Sequence, residues 1–268
     1  GEICFRAFQD ISDRHGFAND FESPAFAGMV VGGRVMDEHC YSVAAVCDGR
    51  LAGSNFITTS DDIGAIGPIS VDPNFQGEGA GRTLMEDSLR YARENGVERV
   101  RLMQDSFNMI SLALYAQLGF DTKAPVALLT PAGERSPEAR LATHDDLDAV
   151  EGLGREIYRV SRRREVEAHL PGPFRPFVLE RGGRVVAYFV PGFVGHGVAE
   201  AEGDIVALAA HASAELGPLA SSVFCPLTEG SLYRRFLAAG FRNRKVMNLM
   251  ALGPYEEPHG VWLPSVGF

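Results

Sequence analysis

Two stretches of this chain end alike: residues 111–120 read SLALYAQLGF and residues 232–241 read LYRRFLAAGF. Each has the pattern of a helix stopped by Gly-Phe, and each runs on into an apolar segment that reads as a strand. Upstream of both lies a hairpin pattern, VAAVCDGRLAGSNF over 43–56 and PFVLERGGRVVAYF over 176–189. Their turns, Asp48-Gly49 and Gly182-Gly183, are residue pairs that accept the left-handed backbone of a tight two-residue loop. The same order of hairpin, helix, strand, helix and strand, met twice, restricts the chain to a duplicated α/β unit. The expected fold class is α/β (α+β), with two tandem domains, each a mixed, mostly antiparallel central sheet flanked by helices. Residues 131–137, PAGERSP, are polar, carry two prolines and form the natural linker. The first domain then spans 1–130 and the second 138–268, a division that the length of 268 residues allows.

Local signals fill in the elements. Cys4, Phe8, Ile11 and His15 share one helical face, and Ser23-Pro24 has the form of an N-cap and first-turn proline. Strands are expected over 41–47, 51–58 and 65–71, the last interrupted at Gly67-Pro68, where proline cannot donate to a ladder and a bulge or splay is expected. A helix over 79–95, a strand over 100–103, a helix over 108–118 and a strand over 120–129 complete the first half. In the second half, strand 140–143 leads to Thr143-His144-Asp145-Asp146, a capping box for a helix running to about 159. A helix over 162–170, the second hairpin, a helix over 204–216, strand 221–225, helix 231–239 and strand 241–250 follow.

Charge excludes some partners. The chain has 25 basic and 35 acidic residues, net −10, and residues 1–135 alone carry 11 basic against 19 acidic groups. A nucleic-acid surface needs the opposite, a clustered basic footprint. Arg162-Arg163-Arg164 and Arg242, Arg244 and Lys245 read as solvated, and Asp145, Asp146 and Asp148 as acids favoured at a helix N-terminus. No apolar run approaches the ~20 residues of a membrane-spanning helix. The first ten residues show no secretory pattern, although there is also no initiator methionine. Cys4, Cys40, Cys47 and Cys225 lack CxxC spacing and read as reduced thiols, and the seven histidines form no HxH or HxxxH pair, so no metal site is expected. A cytoplasmic protein without nucleic-acid or membrane partners is expected, and a homodimer is compatible with the sequence.

The chemistry concentrates at Gln76-Gly77-Glu78-Gly79-Ala80-Gly81-Arg82, between a strand and a helix. Glycines allow close approach of backbone to ligand, and successive N–H groups at a helix start attract an anion such as a pyrophosphate. A GxGxxG dinucleotide site would need glycine where Arg82 stands, and a Walker loop would need Gly-Lys-Ser/Thr. From these residues alone an ordinary glycine-rich turn is the competing reading. The wider stretch IGPISVDPNFQGEGAGRTLM, through Val71, Pro73, Gln76, Gly79 and Gly81 (or Ala80), resembles motif A of the GNAT N-acetyltransferase superfamily. Asn108, Tyr115, Leu118, Gly119 and Phe120 resemble its motif B. The likeness is strong over residues 1–130, and the whole chain resembles a tandem GNAT protein. One departure is that the chain opens directly in a helix, where relatives have a strand first.

The resemblance implies transfer of an acetyl group from acetyl-CoA to an amine, on a small molecule or a protein, by direct attack in a ternary complex. It implies that Gln76, Gly77, Glu78, Gly79, Ala80, Gly81 and Arg82 hold the pyrophosphate. Ile69, Ser70 and Val71 would line the pantetheine arm, with an N–H near Ser70 or Val71 facing the thioester carbonyl. Asn108 and Ser111 would contact the arm from the next helix, where Asn108 also suits an N-cap. Tyr115 would lie against the cofactor and protonate the departing thiolate; its other reading is a core tyrosine beside Leu112 and Leu118. For the base, the strand before the loop has no Asp or Glu, leaving Asp105, a water chain at Ser70, or the terminal carboxylate of Phe268. Packing of the apolar tail is the simpler reading of that last segment. A different class of function, a non-catalytic acyl-CoA-binding or regulatory module, is disfavoured by the intact Tyr115. In the second half Phe236 stands where Tyr115 does and Glu229 where Asn108 does. Glu200, Glu202 and Asp204 gather at a helix start with no glycine loop. One coenzyme A per chain is expected.

Overall fold

A computed structural model of the chain describes residues 1–268 apart from 131, 133, 134, 218–220, 229, 267 and 268. Three residues of the expected linker, together with Glu229 and the terminal Phe268, therefore lie outside the described residues. The chain separates into two compact units, Gly1–Asp121 with Met250–Pro254, and Thr122–Leu249 with Tyr255–Val266.

The elements of the first unit are α1 (Glu2–His15), α2 (Pro24–Met36), β1 (Cys40–Cys47), β2 (Arg50–Thr58), β3 (Gly64–Ile66), β4 (Ser70–Val71), α3 (Ala80–Glu94), β5 (Val100–Asp105) and α4 (Met109–Gln117). Next come β6 (Asp121–Thr130), β7 (Ala139–Leu141), α5 (Leu147–Leu153), α6 (Arg163–His169), β8 (Phe177–Arg181), β9 (Arg184–Val190), β10 (Gly192–Ala199), α7 (Glu202–Leu216), β11 (Ser221–Pro226), α8 (Gly230–Ala238), β12 (Arg242–Leu252) and β13 (Val261–Leu263). These build a mixed α/β fold whose sheet is mostly antiparallel and flanked by helices. Among the described residues no helix is long and apolar enough to cross a membrane.

In the first unit the sheet order is β1-β2-β3-β5, followed by the end of β12, with β4 also on β2. The β1–β2 hairpin turns at Asp48 and Gly49, whose φ values of 49° and 72° are the left-handed pair foreseen from their identities. The expected third strand is split. β3 pairs with β2 through Ile57↔Ile66 and β4 through Ser54↔Ser70, and between them lie Gly67, with φ 136°, and Pro68. The face of α1 that is buried runs through Cys4, Ala7 and Ser12. His15 lies off that stripe, exposed, with its ring 5.3 Å from that of Phe107. Met85, Leu89 and Ala92 of α3 pack with Val100, Leu102, Tyr115 and Phe120 in the core on one side of this sheet.

The second unit repeats the order. β8 and β9 form a hairpin turned at Gly182 and Gly183, with φ 59° and 75°. β10 follows, then α7, then β11 parallel to β10, as β5 is parallel to β3. The helix ends also match. Phe120 N–H donates to the Tyr115 carbonyl at 3.0 Å across Gly119 (φ 94°), and Phe241 N–H to the Phe236 carbonyl at 3.0 Å across Gly240 (φ 91°). A left-handed residue at this place lets the chain fold back and satisfy the last carbonyls of the helix, which is why glycine recurs.

Four expectations about the second half change. The helix opened by the Thr143–Asp146 capping box is present, but its α-helical part stops at Leu153. It continues as one π turn, Gly154–Tyr158, before Arg159 turns left-handed at φ 65°. Arg162 is not solvated but 3% exposed, because Glu165 neutralises it (Nε to Oε2 2.6 Å) and Ser265 Oγ accepts from its Nη2 at 3.2 Å. Lys245 is buried too, as it takes the first inward place in the alternation that continues through Met247 and Leu249. Strands β10 and β13 have no counterpart in the sequence reading. Asp146 does cap its helix, and Arg140 grips both its oxygens at 2.7 and 2.8 Å.

Candidate active site

In the first unit β3 and β5 pair in parallel only as far as Gly64↔Val100 and Ala65↔Arg101. Beyond the Gly67-Pro68 break the chain stays on β2, through Gly53↔Val71, and leaves β5. Among the described residues no strand bridges β4 and the 102–105 half of β5. The result is a gap whose two edges carry backbone donors and acceptors. Such groups are obligatory hydrogen-bonding partners, so the gap suits an extended ligand with amide groups of its own.

The gap leads to the glycine segment. Asp72, 4% exposed, anchors the approach: its Oδ2 accepts from Arg6 Nη2 at 2.6 Å and its Oδ1 from Asn74 N–H at 3.0 Å. Gln76 Nε2 donates to the Val71 carbonyl at 3.1 Å. Gly77 and Gly79 hold φ of 85° and 90°, and a Cβ built on either meets nothing within 4 Å. Both need glycine for their backbone, and both face open space. Gly79 is the N-cap of α3, with no side-chain cap and no acid in the first turn. The first-turn amides, through Arg82, therefore have no intrahelical partner, and the helix dipole adds positive potential. A phosphate group fits this end. Glu78 is exposed. Arg82 is tied to Gln117 Oε1 on α4 and lies 3.7 Å from Glu86.

The other predicted residues fall around the same gap. Ile69 is half-buried at the edge of the core, whereas Ser70 is 4% exposed with its hydroxyl fully enclosed. Burial pushes the Cys4 thiol up to about 11, which keeps it inert. Asn108 Oδ1 accepts from Ser111 N–H at 3.1 Å and so caps α4, and Ser111 Oγ donates to the Asn108 carbonyl at 3.0 Å. Gln104, which sequence reasoning missed, braces both: its Nε2 reaches the Asn108 carbonyl at 2.7 Å and Ser111 Oγ at 3.1 Å. The available signal was a lone amide at an inward position of β5, 2% exposed.

Tyr115 has its ring in the core, 7% exposed, 6.2 Å from the Phe120 ring. Burial first, and the Asp105 carboxylate second, push the phenol well above its usual value of 10.0. It is thus a neutral O–H across the physiological range. Asp105 ends β5, half-buried, with one oxygen enclosed. The gap, the loop and the phenol with its neighbouring carboxylate belong to one unit and one side of the sequence. That grouping can accept an elongated, phosphate-bearing molecule and exchange a proton at its far end.

Mycothiol acetyltransferase of Thermomonospora curvata is 40% identical over 74 residues, 27% of this chain and 25% of that protein. The enzyme of the same name from Saccharomonospora viridis is 33% identical over 90 residues, 34% of this chain and 27% of its own. The matched stretch thus spans about a quarter of these relatives. A GCN5-related N-acetyltransferase of Sphaerobacter thermophilus shares the fold, with TM-score 0.63 and 17% identity over 97% of this chain and 94% of its own. An acetyltransferase candidate from Pyrococcus horikoshii superposes with TM-score 0.73 and 16% identity, covering 95% and 89%. Residues 5–120, the segment that holds the gap, the glycine loop and Tyr115, match the Acetyltransferase (GNAT) family.

Proposed function

We propose that this chain is an acetyl-CoA-dependent N-acetyltransferase working from its first unit, with the second unit a degenerate GNAT-like domain. The observation that carries the reading is the open gap between β4 and β5, ending at the uncapped start of α3. Acetyl-CoA, when bound, supplies the acyl group and a thiolate leaving group. The amides of residues 77–82 hold its pyrophosphate, with Gln76 fixing the turn that presents them. Ile69, Ser70 and Val71 offer backbone partners to the amides of the pantetheine arm, and Asn108 and Ser111 set the start of α4 beside it. A backbone N–H at Ser70 or Val71 would face the carbonyl oxygen, where negative charge grows in the transition state.

The acceptor amine forms a bond to the carbonyl carbon as the carbon–sulfur bond breaks. An alkylammonium titrates near ~10.4, so it must first lose a proton, which Asp105 accepts. The sulfur would take the Tyr115 hydroxyl proton, and the second proton shed by the nitrogen as the amide forms would restore the phenol. Burial keeps the phenol protonated, so the proton is there to be given to the leaving thiolate as the carbon–sulfur bond breaks. Direct transfer needs both substrates bound together, so no acetylated enzyme forms.

The test is coenzyme A thiol release with a panel of amines: polyamines, amino acids, aminoglycosides, lysine peptides and the acceptor of the mycothiol acetyltransferases. Thiol release matched by one acetyl group gained on an amine is expected. Binding of acetyl-CoA without release across the panel would favour the non-catalytic module instead.

A further inference from the structure

In the second unit the corresponding gap is filled. β10 pairs with β11 in parallel at Gly192↔Ser221 and Gly195↔Val223 and then parts from it, as β4 leaves β5 in the first unit. Here the space holds β13, which runs antiparallel to β10 through Gly197↔Leu263, Val198↔Trp262 and Ala199↔Val261. Val261, Trp262 and Leu263 are 8%, 3% and 1% exposed, and Val261 and Leu263 belong to the core of this unit. Both flanks of the strand are held as well. His259 N–H donates to the Ile157 carbonyl at 2.8 Å on the π turn, and Arg162 Nη2 donates to Ser265 Oγ at 3.2 Å. Gly197 is what admits the fit on the β9 side, since a Cβ there would lie 2.3 Å from the Tyr188 carbonyl oxygen.

We infer that residues 259–265 are a built-in strand ligand, occupying in the second unit the place that a pantetheine arm takes in the first. The inference rests on the proposed use of the first gap, but its peptide-binding half does not. The edge of β10 beyond Gly195 demands backbone partners, and this segment meets the demand by strand addition. The phosphate end of the gap is closed by charge. α7 starts with Glu202 and Asp204 in its first turn and no glycine loop, and both are already paired, Glu202 with Arg235 and Asp204 with Arg181. The second gap is therefore a peptide site for the chain's own residues 259–265 and not a second cofactor site.

Trp262 is the only tryptophan in the chain, so it reports on this site directly. In the full chain, Val261→Gly, Trp262→Ser and Leu263→Gly together should lower the melting temperature by roughly 10 °C, given ~2–4 °C per kcal/mol for chains of this size class. Added synthetic peptide HGVWLPSV should raise it again, with a saturable blue shift of the peptide's tryptophan. A scrambled peptide should do neither, and coenzyme A should not compete. In the unaltered chain, acrylamide should quench Trp262 several-fold less than free tryptophan, with or without saturating coenzyme A. Unchanged melting of the triple variant, displacement of the peptide by coenzyme A, or a red shift of Trp262 when coenzyme A is added would each overturn the assignment. If the triple variant does not fold, the quenching experiment on the unaltered chain decides it. If the first unit binds no coenzyme A, the peptide result still stands alone.

Discussion

Tyr115→Phe is expected to lower turnover by roughly 10²–10⁴-fold while leaving coenzyme A affinity within about twofold, the pattern of a lost general acid. The substitution removes one oxygen from a ring that stays in place among Leu102, Phe120 and Met250. The ring's packing is unchanged by the loss of one oxygen, so folding should be little affected. The pH profile adds a second check. Because the phenol is held above its usual 10.0, the unaltered chain should keep its rate up to at least that pH as far as this acid is concerned. A full rate for the phenylalanine variant, measured where chemistry limits turnover, would make Tyr115 a core residue only.

Gly81→Leu should abolish coenzyme A binding without unfolding the chain. Gly81 is the second residue of α3 and has no left-handed backbone, and a Cβ there meets only Val71 Cγ2 and Leu114 Cδ2, each at an ordinary 3.8 Å. The fold does not demand glycine here, and leucine is the better helix former by up to ~1 kcal/mol. A leucine would project between β4 and α4, into the gap assigned to the pantetheine arm. Calorimetry should show a loss of at least tenfold, or ~1.4 kcal/mol, with an unchanged or higher melting temperature. Gly79 is a poorer place to ask the question. Its φ of 90° makes any side chain strained, so a Val there would confuse binding with folding. Undiminished affinity in a folded Gly81→Leu protein would remove the pantetheine arm from this gap.

What could be read from the sequence was whatever is decided locally. Asp48-Gly49 and Gly182-Gly183 turn hairpins because few other pairs accept two left-handed residues in a row. Thr143 and Asp146 cap a helix through atoms three residues apart, and Gly119 and Gly240 end helices by their own φ. The glycine loop was legible for the same reason. The strands β10 and β13 were not, because each is a strand only by virtue of its partner. β10 contains Gly192, Gly195 and Gly197, which weaken strand propensity and are tolerated because neighbouring β9 leaves no room for a Cβ at 195 or 197. β13 is three residues long and is defined by residues far earlier in the chain. Arg162 misled for the opposite reason: charge signals solvent, and although Glu165 lies close by in sequence, its burial also depends on Ser265 near the other end of the unit. Of the braces of the candidate site, Asp72 depends on the distant Arg6, whereas Gln104 reaches Asn108 and Ser111 only because the turn between β5 and α4 folds them back over it.

Acetyl-CoA is expected to occupy the gap of the first unit and not that of the second. Hydrogen exchange on the full chain, read peptide by peptide with and without saturating coenzyme A, tests it most directly. The predicted result is slower exchange at residues 70–71, 77–83 and 102–108, with residues 192–206 and 259–265 unchanged. Protection over 192–206, or no protection anywhere in 70–83, would contradict it.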